Sequence, residues 1–184
     1  MYNDTLKLVL DEILQTLENV NKDDIELLKN DIMNARKIFV VGVGRVLLSL
    51  QSFVKRLNHL GYEAYYVGEI NEPCITKKDI LIVGSGSGNT LFPVAIANKA
   101  NEIGAKVIHI GSNKNSAIKD IISYMVRIPT QTKLYLQDEI ESQQIMTSLF
   151  EQCLLILGDI ICKMILDERN IDIKSLWKYH ANLE

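Results

Sequence analysis

The sequence predicts an α/β fold: about five parallel strands in one sheet, covered by helices, with further helices at both ends. Three observations carry this. Short β-branched apolar runs recur and several end in glycine, as strands buried on both faces do. Segments with apolar residues every three to four positions separate them, and such alternation implies right-handed crossovers within a parallel sheet. Nine of the ten glycines lie between Gly42 and Gly111, most at strand ends or turns.

Along the chain, residues 4–20 carry Leu6, Leu8, Val9, Ile13, Leu17 and Val20 at near-helical spacing, with Asp4 placed as an N-cap. A second helix is expected over 22–35, with Ile25, Leu28, Ile32 and Met33 on one face. The period then changes. KIFVVGVG (37–44) reads as the first strand, followed by EAYYVG (63–68), DILIVG (79–84), KVIHIG (106–111) and SYMVRI (123–128). Helices are expected between them at 46–60, about 90–103 and, shorter, near 116–121. The last third reads as helix over 145–168 and a short terminal segment near 173–180. No repeat or linker divides the chain, so residues 1–184 are read as one domain with a 37–128 core, flanked by 1–35 and 145–184.

A chain of 184 residues can bury a sizeable core, and 47% hydrophobic with 23% charged residues is ordinary globular composition. A net charge of −3 argues against a nucleic-acid partner. Cys74, Cys153 and Cys162 follow no metal spacing and fit reduced thiols in the cytoplasm. The N-terminus carries Asp4, Asp11 and Glu12 rather than a basic start and an apolar block, so no signal peptide is read there. The longest apolar stretch, Cys153 to Leu166, is interrupted by Asp159 and Lys163 and is too short to span a bilayer. The expectation is a cytoplasmic protein without a membrane partner.

Ligands of open parallel sheets bind beyond the carboxyl ends of the strands, and both glycine-rich turns lie at such ends. GVGR (42–45) lacks the third glycine of a dinucleotide fingerprint, since position 47 is Leu47, and no Walker lysine follows either turn. GSGSGNT (84–90) suits a smaller ligand. Its glycines let several backbone N–H groups turn towards one point, and a helix beginning near Asn89 aims its positive end at the same place. Ser85, Ser87 and Thr90 add hydroxyls, and Pro93 fits a first helical turn. One phosphate monoester would be well served. The plainer reading is a turn capped by hydroxyls, although a mere turn rarely needs three glycines and three hydroxyls.

GSGSGNT on a strand-to-helix turn resembles the phosphate loop of sugar isomerase (SIS) domains. GVGR…SFVKRLNHLGY (42–62), VGEINEP (67–73), MTSLFEQCLLILGDIICKMI (146–165) and the terminal HANLE (180–184) are similar to the 6-phospho-3-hexuloisomerase family, over almost the whole chain. The resemblance implies a single-domain SIS fold with a five-stranded, flavodoxin-like parallel sheet, assembled as a homotetramer with sites near subunit interfaces. It implies interconversion of 3-hexulose 6-phosphate and fructose 6-phosphate through an enediol, beside hexulose-phosphate synthase in the ribulose monophosphate pathway, with no cofactor and no metal.

The resemblance also points to site residues. Glu151, in the apolar stretch SLFEQCLLIL, matches the family's SLFEQ and is the expected base. His180, in HANLE, is the expected acid/base for the substrate oxygens, its ordinary pKa being near 6.5. His59 matches the histidine of RLxHLG and is read as a catalytic residue or a helix C-terminal cap. Gly44 and Arg45 would face the sugar or its phosphate, with Ser85, Gly86, Ser87, Gly88, Asn89 and Thr90 in the phosphate loop. Glu69 would bind a sugar hydroxyl or hold Arg45. His109, inside KVIHIG, reads as core or sheet edge.

Departures concentrate at the sugar end. Family members read Gly-x-Gly-Arg-Ser-Gly in the first turn, whereas Arg45 is followed here by Val46 and Leu47. That removes a hydroxyl and sets a bulky side chain near the ligand, and a lost buried hydrogen bond costs about 1–3 kcal/mol. Asn89 replaces a glutamate while keeping a good N-cap, Ile145 and Thr147 replace a proline and a glycine, and Glu72 replaces a threonine. Two other readings therefore stand beside the isomerase: an isomerase for a different ketose or aldose phosphate, and a non-catalytic sugar-phosphate-binding module. Retention of Glu151 and His180 favours an enzyme.

Overall fold

The computed structural model describes residues 1–183. Its strands are the β-branched runs of the sequence: β1 Ile38–Val41, β2 Ala64–Tyr66, β3 Ile80–Gly84, β4 Lys106–Gly111 and β5 Tyr124–Arg127. All pair in parallel, in the order β2-β1-β3-β4-β5. The two-residue period divides each strand between two cores. Ile38, Val40, Ile80, Ile82, Ile108 and Ile110 face one, while Phe39, Val41, Leu81, Val83 and Val107 face the other. Such strands must be covered on both sides, which explains their unbroken apolar character.

The first core is closed by Leu28 and Ile32 of α2 (Lys22–Asn34), by Leu50, Phe53 and Leu57 of α3 (Gly44–His59), and by Leu154, Leu157 and Ile161 of α5 (Ser148–Glu168). Helix α1 (Tyr2–Glu18) adds Ile13 and Leu17 at its margin. The second core is closed by Ala97 and Ala100 of α4 (Leu91–Ile103) together with Ile118. Helices α3 and α5 meet where Gly158 has no side chain: a Cβ there would stand 3.0 Å from the Phe53 ring.

The segment near 116–121 is a series of turns rather than a helix. Bonds from Lys119 N–H to Ser116 and from Ile121 N–H to Ile118 close single turns, and fully buried Ile118 pins them to the core. Six residues are too few to repay helix nucleation. At the C-terminus a 3₁₀ helix, Ile173–Tyr179, folds back towards the end of α3. Glu184, the last residue of the HANLE segment, lies outside the described residues. No helix among the described residues is long and apolar enough to cross a membrane.

After β1 the chain moves to β2 on one side, and after β3 it moves to β4 on the other. The β1/β3 boundary, where Val41 pairs with Val83, is therefore the switch point of the sheet. Gly42–Arg45 and Gly84–Thr90 emerge there side by side.

Candidate active site

The loop after β3 is built so that its carbonyls point back into the protein. The Ser85 carbonyl accepts from His109 Nε2 at 2.9 Å, Gly86 O from the N–H groups of Ser112 and Asn113, and Ser87 O from Asn113 Nδ2. Inside the loop, Gly88 N–H donates to both the carbonyl and the hydroxyl of Ser85. With the carbonyls fixed inward, the N–H groups of Gly86, Ser87 and Thr90 have no acceptor among the described residues. Gly88 makes the turn possible: its φ is +65°, and a Cβ would lie 2.2 Å from the Ser116 Cβ. The result is an anion nest at the N-terminal end of α4.

His109 lies in the interior of the sheet, not at its edge, and is fully buried. Burial holds its pKa below the ordinary histidine value, against the opposing effect of the Ser85 carbonyl. A neutral ring with its proton on Nε2 fits the bond it makes, so His109 supports the loop from beneath.

Across the cleft stands Glu151, only 8% exposed, in the first turn of α5. Arg45 Nε, from the first turn of α3, donates to its Oε2, and Thr147 Oγ1 donates to its Oε1 at 3.0 Å. Its backbone carbonyl accepts from Ser49 Oγ at 2.8 Å, tying α5 to α3. The N-terminal ends of α3, α4 and α5 thus line one cleft of about 340 Å³, which contains Gly44, Arg45, Ser85–Ser87, Thr90 and Glu151. Three positive helix ends facing one space favour an anionic ligand.

Several expectations need correction. Thr90, not Asn89, is the N-cap of α4, because the Asn89 side-chain oxygen is taken by Ala117 N–H at 2.9 Å. Arg45 pairs with Glu151 rather than Glu69. Glu69 sits beyond β2 and is not among the residues lining the cleft; burial and the charge of Glu72 raise its pKa. Val46 lines the cleft but Leu47 does not, so the bulky replacement falls away from the ligand space.

Within one chain the two expected histidines lie apart from Glu151. His59 and His180 come together, their rings stacked at 5.4 Å, but they line a second cleft of about 370 Å³ with Arg56, Asp159 and Trp177. Arg56 Nη1 donates to His59 Nδ1 at 3.2 Å, and His180 Nδ1 donates to the Ala181 carbonyl at 2.8 Å. Glu151 is not in that cleft. His59 ends α3 and Arg45 lies in its first turn; the fourteen steps from one to the other span about 21 Å at the helical rise.

The sequence reading missed five residues of the Glu151 cleft: Thr132, Lys133, Met146, Thr147 and Phe150. All belong to the connection from β5 to α5 or to the start of α5. Thr132 and Phe150 flank Gly86, at 3.5 and 3.7 Å from where its Cβ would stand. Two carboxylates fix this connection. Glu139 accepts from Thr132 Oγ1, Thr132 N–H and Leu136 N–H. Glu12 of α1 accepts from Ser142 Oγ, Gln143 N–H and Gln144 Nε2. Burial pushes the Glu12 carboxyl up, but those three bonds outweigh it and leave the pKa lowered.

Cys153 and Cys162 are buried in α5, and burial pushes both thiols up to about 12, while Cys74 is exposed. No group of three or more His, Cys, Asp or Glu side chains among the described residues is arranged to hold a metal ion.

Known proteins share this fold. The SIS domain family matches residues 31–156. A 3-hexulose-6-phosphate isomerase of Bacillus subtilis is 32% identical over 176 residues, covering 96% of this chain and 95% of its own. One from Mycobacterium gastri is 33% identical, covering 97% of this chain and 89% of its own. A crystal structure from Methanococcus jannaschii, described as inferring a 3-hexulose-6-phosphate isomerase function, superposes with a TM-score of 0.84 at 31% identity, covering 98% and 99% of the two chains.

Proposed function

The chain belongs to the SIS domain family, and from that premise we propose that it is a sugar-phosphate isomerase interconverting 3-hexulose 6-phosphate and fructose 6-phosphate. One observation carries the reading: a phosphate-sized nest of free N–H groups and a nearly buried carboxylate share a single cleft. The extent of the similarity to two 3-hexulose-6-phosphate isomerases supports that choice of substrate.

The substrate phosphate binds the N–H groups of Gly86, Ser87 and Thr90, with the hydroxyls of Ser85, Ser87 and Thr90 beside them, and the carbon chain runs towards Glu151. From fructose 6-phosphate, Glu151 takes the proton on carbon 3, giving an enediol across carbons 2 and 3. Returning that proton to carbon 2 leaves the carbonyl at carbon 3. Arg45 and Thr147 hold the carboxylate in place for both transfers. Gly44 lets the backbone of the first turn approach the sugar. Asn89 keeps the phosphate loop tied to the 117 turn, and Gly88 supplies its bend.

The exchange of protons between the two oxygens needs a second group. His180 and His59 are the residues suited to it, yet in one chain they stand a helix length from Glu151. A twofold contact between the α3–α5 faces of two copies, with helices antiparallel, brings the histidine end of one chain over the Glu151 end of the other. Leu48 and Leu155, 61% and 38% exposed between the two ends, supply apolar surface for that contact. The protein is then a homo-oligomer, a tetramer of two such pairs, acting in the cytoplasm in the ribulose monophosphate pathway. Glu69, outside the cleft of its own chain, has a role only towards a sugar bound at such an interface.

The test follows fructose 6-phosphate by ¹³C NMR. The reading predicts appearance of a 3-keto isomer, with glucose 6-phosphate and arabinose 5-phosphate unchanged. Absence of any 3-keto isomer from fructose 6-phosphate would overturn it.

A further inference from the structure

The charge inventory of the Glu151 cleft leaves one cation uncommitted. Of the two basic residues that line it, Arg45 is engaged by Glu151, which it holds for proton transfer. Lys133 makes no hydrogen bond or ion pair among the described residues and is exposed to the cleft mouth. Its backbone is nevertheless fixed. Neighbouring Thr132 is buried, packs against Gly86 of the phosphate loop, and is held by two bonds to Glu139. The base of the Lys133 side chain is therefore anchored beside the phosphate nest, while its ammonium is left without a partner.

We propose that Lys133 is the charge partner of the substrate phosphate, reaching the dianion from beside Gly86. This rests on the sugar-phosphate reading of the cleft and assigns it a residue that SIS-like sequence features did not reveal. Without Lys133, the side-chain charges of the cleft cancel, and only neutral donors and helix ends meet a ligand of charge near −2. With it, the cleft carries one net positive charge at the phosphate end. Glu139, by holding Thr132, is a positioning residue for this contact. A flexible lysine suits the role, since it can withdraw to admit the sugar and close afterwards.

The experiment measures the dissociation constant of inorganic phosphate at pH 7.5 and low ionic strength by calorimetry, and KM and kcat with fructose 6-phosphate. It compares the unaltered protein with Lys133→Gln, Lys133→Arg and, as a control outside the cleft lining, Lys7→Gln. A charge-assisted contact of this kind corresponds to about a tenfold change in affinity. Lys133→Gln should therefore weaken phosphate and raise KM about tenfold, leaving kcat within about twofold. Lys133→Arg should stay within about threefold of the unaltered protein, and Lys7→Gln should match it. Phosphate binding that Lys133→Gln leaves unchanged overturns this inference alone. An unaltered protein that binds no phosphate overturns the proposed function and this inference together.

Discussion

Replacing Glu151 by glutamine changes one oxygen for an amide nitrogen, and its consequences for folding and for chemistry are separable. For folding, the lost ion pair is a modest one: the Arg45 side chain is 64% exposed, so solvent screens it, and such pairs contribute about 0–1 kcal/mol. The Thr147 hydroxyl can still donate to the remaining side-chain oxygen, and the Ser49 bond to the backbone carbonyl is untouched. For a chain of this length the melting temperature should fall by no more than about 2–4 °C. For chemistry the change removes the base itself, and positioned acid–base catalysis contributes about 10²–10⁴-fold. Exchange of the carbon-bound proton of fructose 6-phosphate in deuterated water, followed by ¹H NMR, should slow by that factor. Phosphate affinity should change little. A Glu151→Gln protein that melts normally and keeps more than about a tenth of the exchange rate would refute the assignment of the base.

Three further outcomes are expected. Glu151→Gln and His180→Ala chains, each inactive alone, should regain activity when refolded together, because a hybrid pair retains one intact site; hybrids as inactive as the parents would argue against a shared site. Glu12 has a lowered pKa in the folded protein, so its contribution to stability is complete above its ordinary value of 4.5 and is lost as the pH falls through the folded value. Melting temperatures of the unaltered protein and Glu12→Gln should thus differ by a constant amount from pH 7 to about 5 and converge below about 4.5, whereas a gap that widens in acid would contradict this. Gly158→Ala should destabilise the fold by about 1–3 kcal/mol in denaturant titration, because its methyl meets the Phe53 ring, and an unchanged midpoint would show that α3 and α5 separate freely.

The sheet was legible because burial on both faces leaves an unmistakable signature: five apolar runs, several ending in glycine, became five strands, KVIHIG kept whole and the other four trimmed by one to three residues at one or both ends. The turns at 116–121 were not, because Ile118 and Ile121–Ile122 imitate helical spacing in a segment too short to nucleate. The glycine-rich turn after β3 was equally plain as a turn, since Gly88 has a φ of +65° and a Cβ there would lie 2.2 Å from the Ser116 Cβ. What local sequence could not supply was the far side of the cleft. Thr132, Lys133 and Thr147 sit in an irregular connection whose path depends on carboxylates 130 and 7 residues away in sequence, Glu12 to Ser142 and Glu139 to Thr132. Glu151, in the first turn of α5, turns to Arg45, a partner 106 residues distant. Motif matching names Glu151 and His180 without saying which chain supplies each, and the helical rise along α3 sets them apart within one chain.

The claim that this cleft moves a carbonyl between carbons 2 and 3 is tested most directly by where deuterium enters. The protein is incubated with fructose 6-phosphate in deuterated water and the recovered sugar is read by NMR. Glu151 acting across carbons 2 and 3 predicts label at carbon 3. Label at carbon 1 alone, the mark of isomerisation to an aldose, or no label at all, would contradict it.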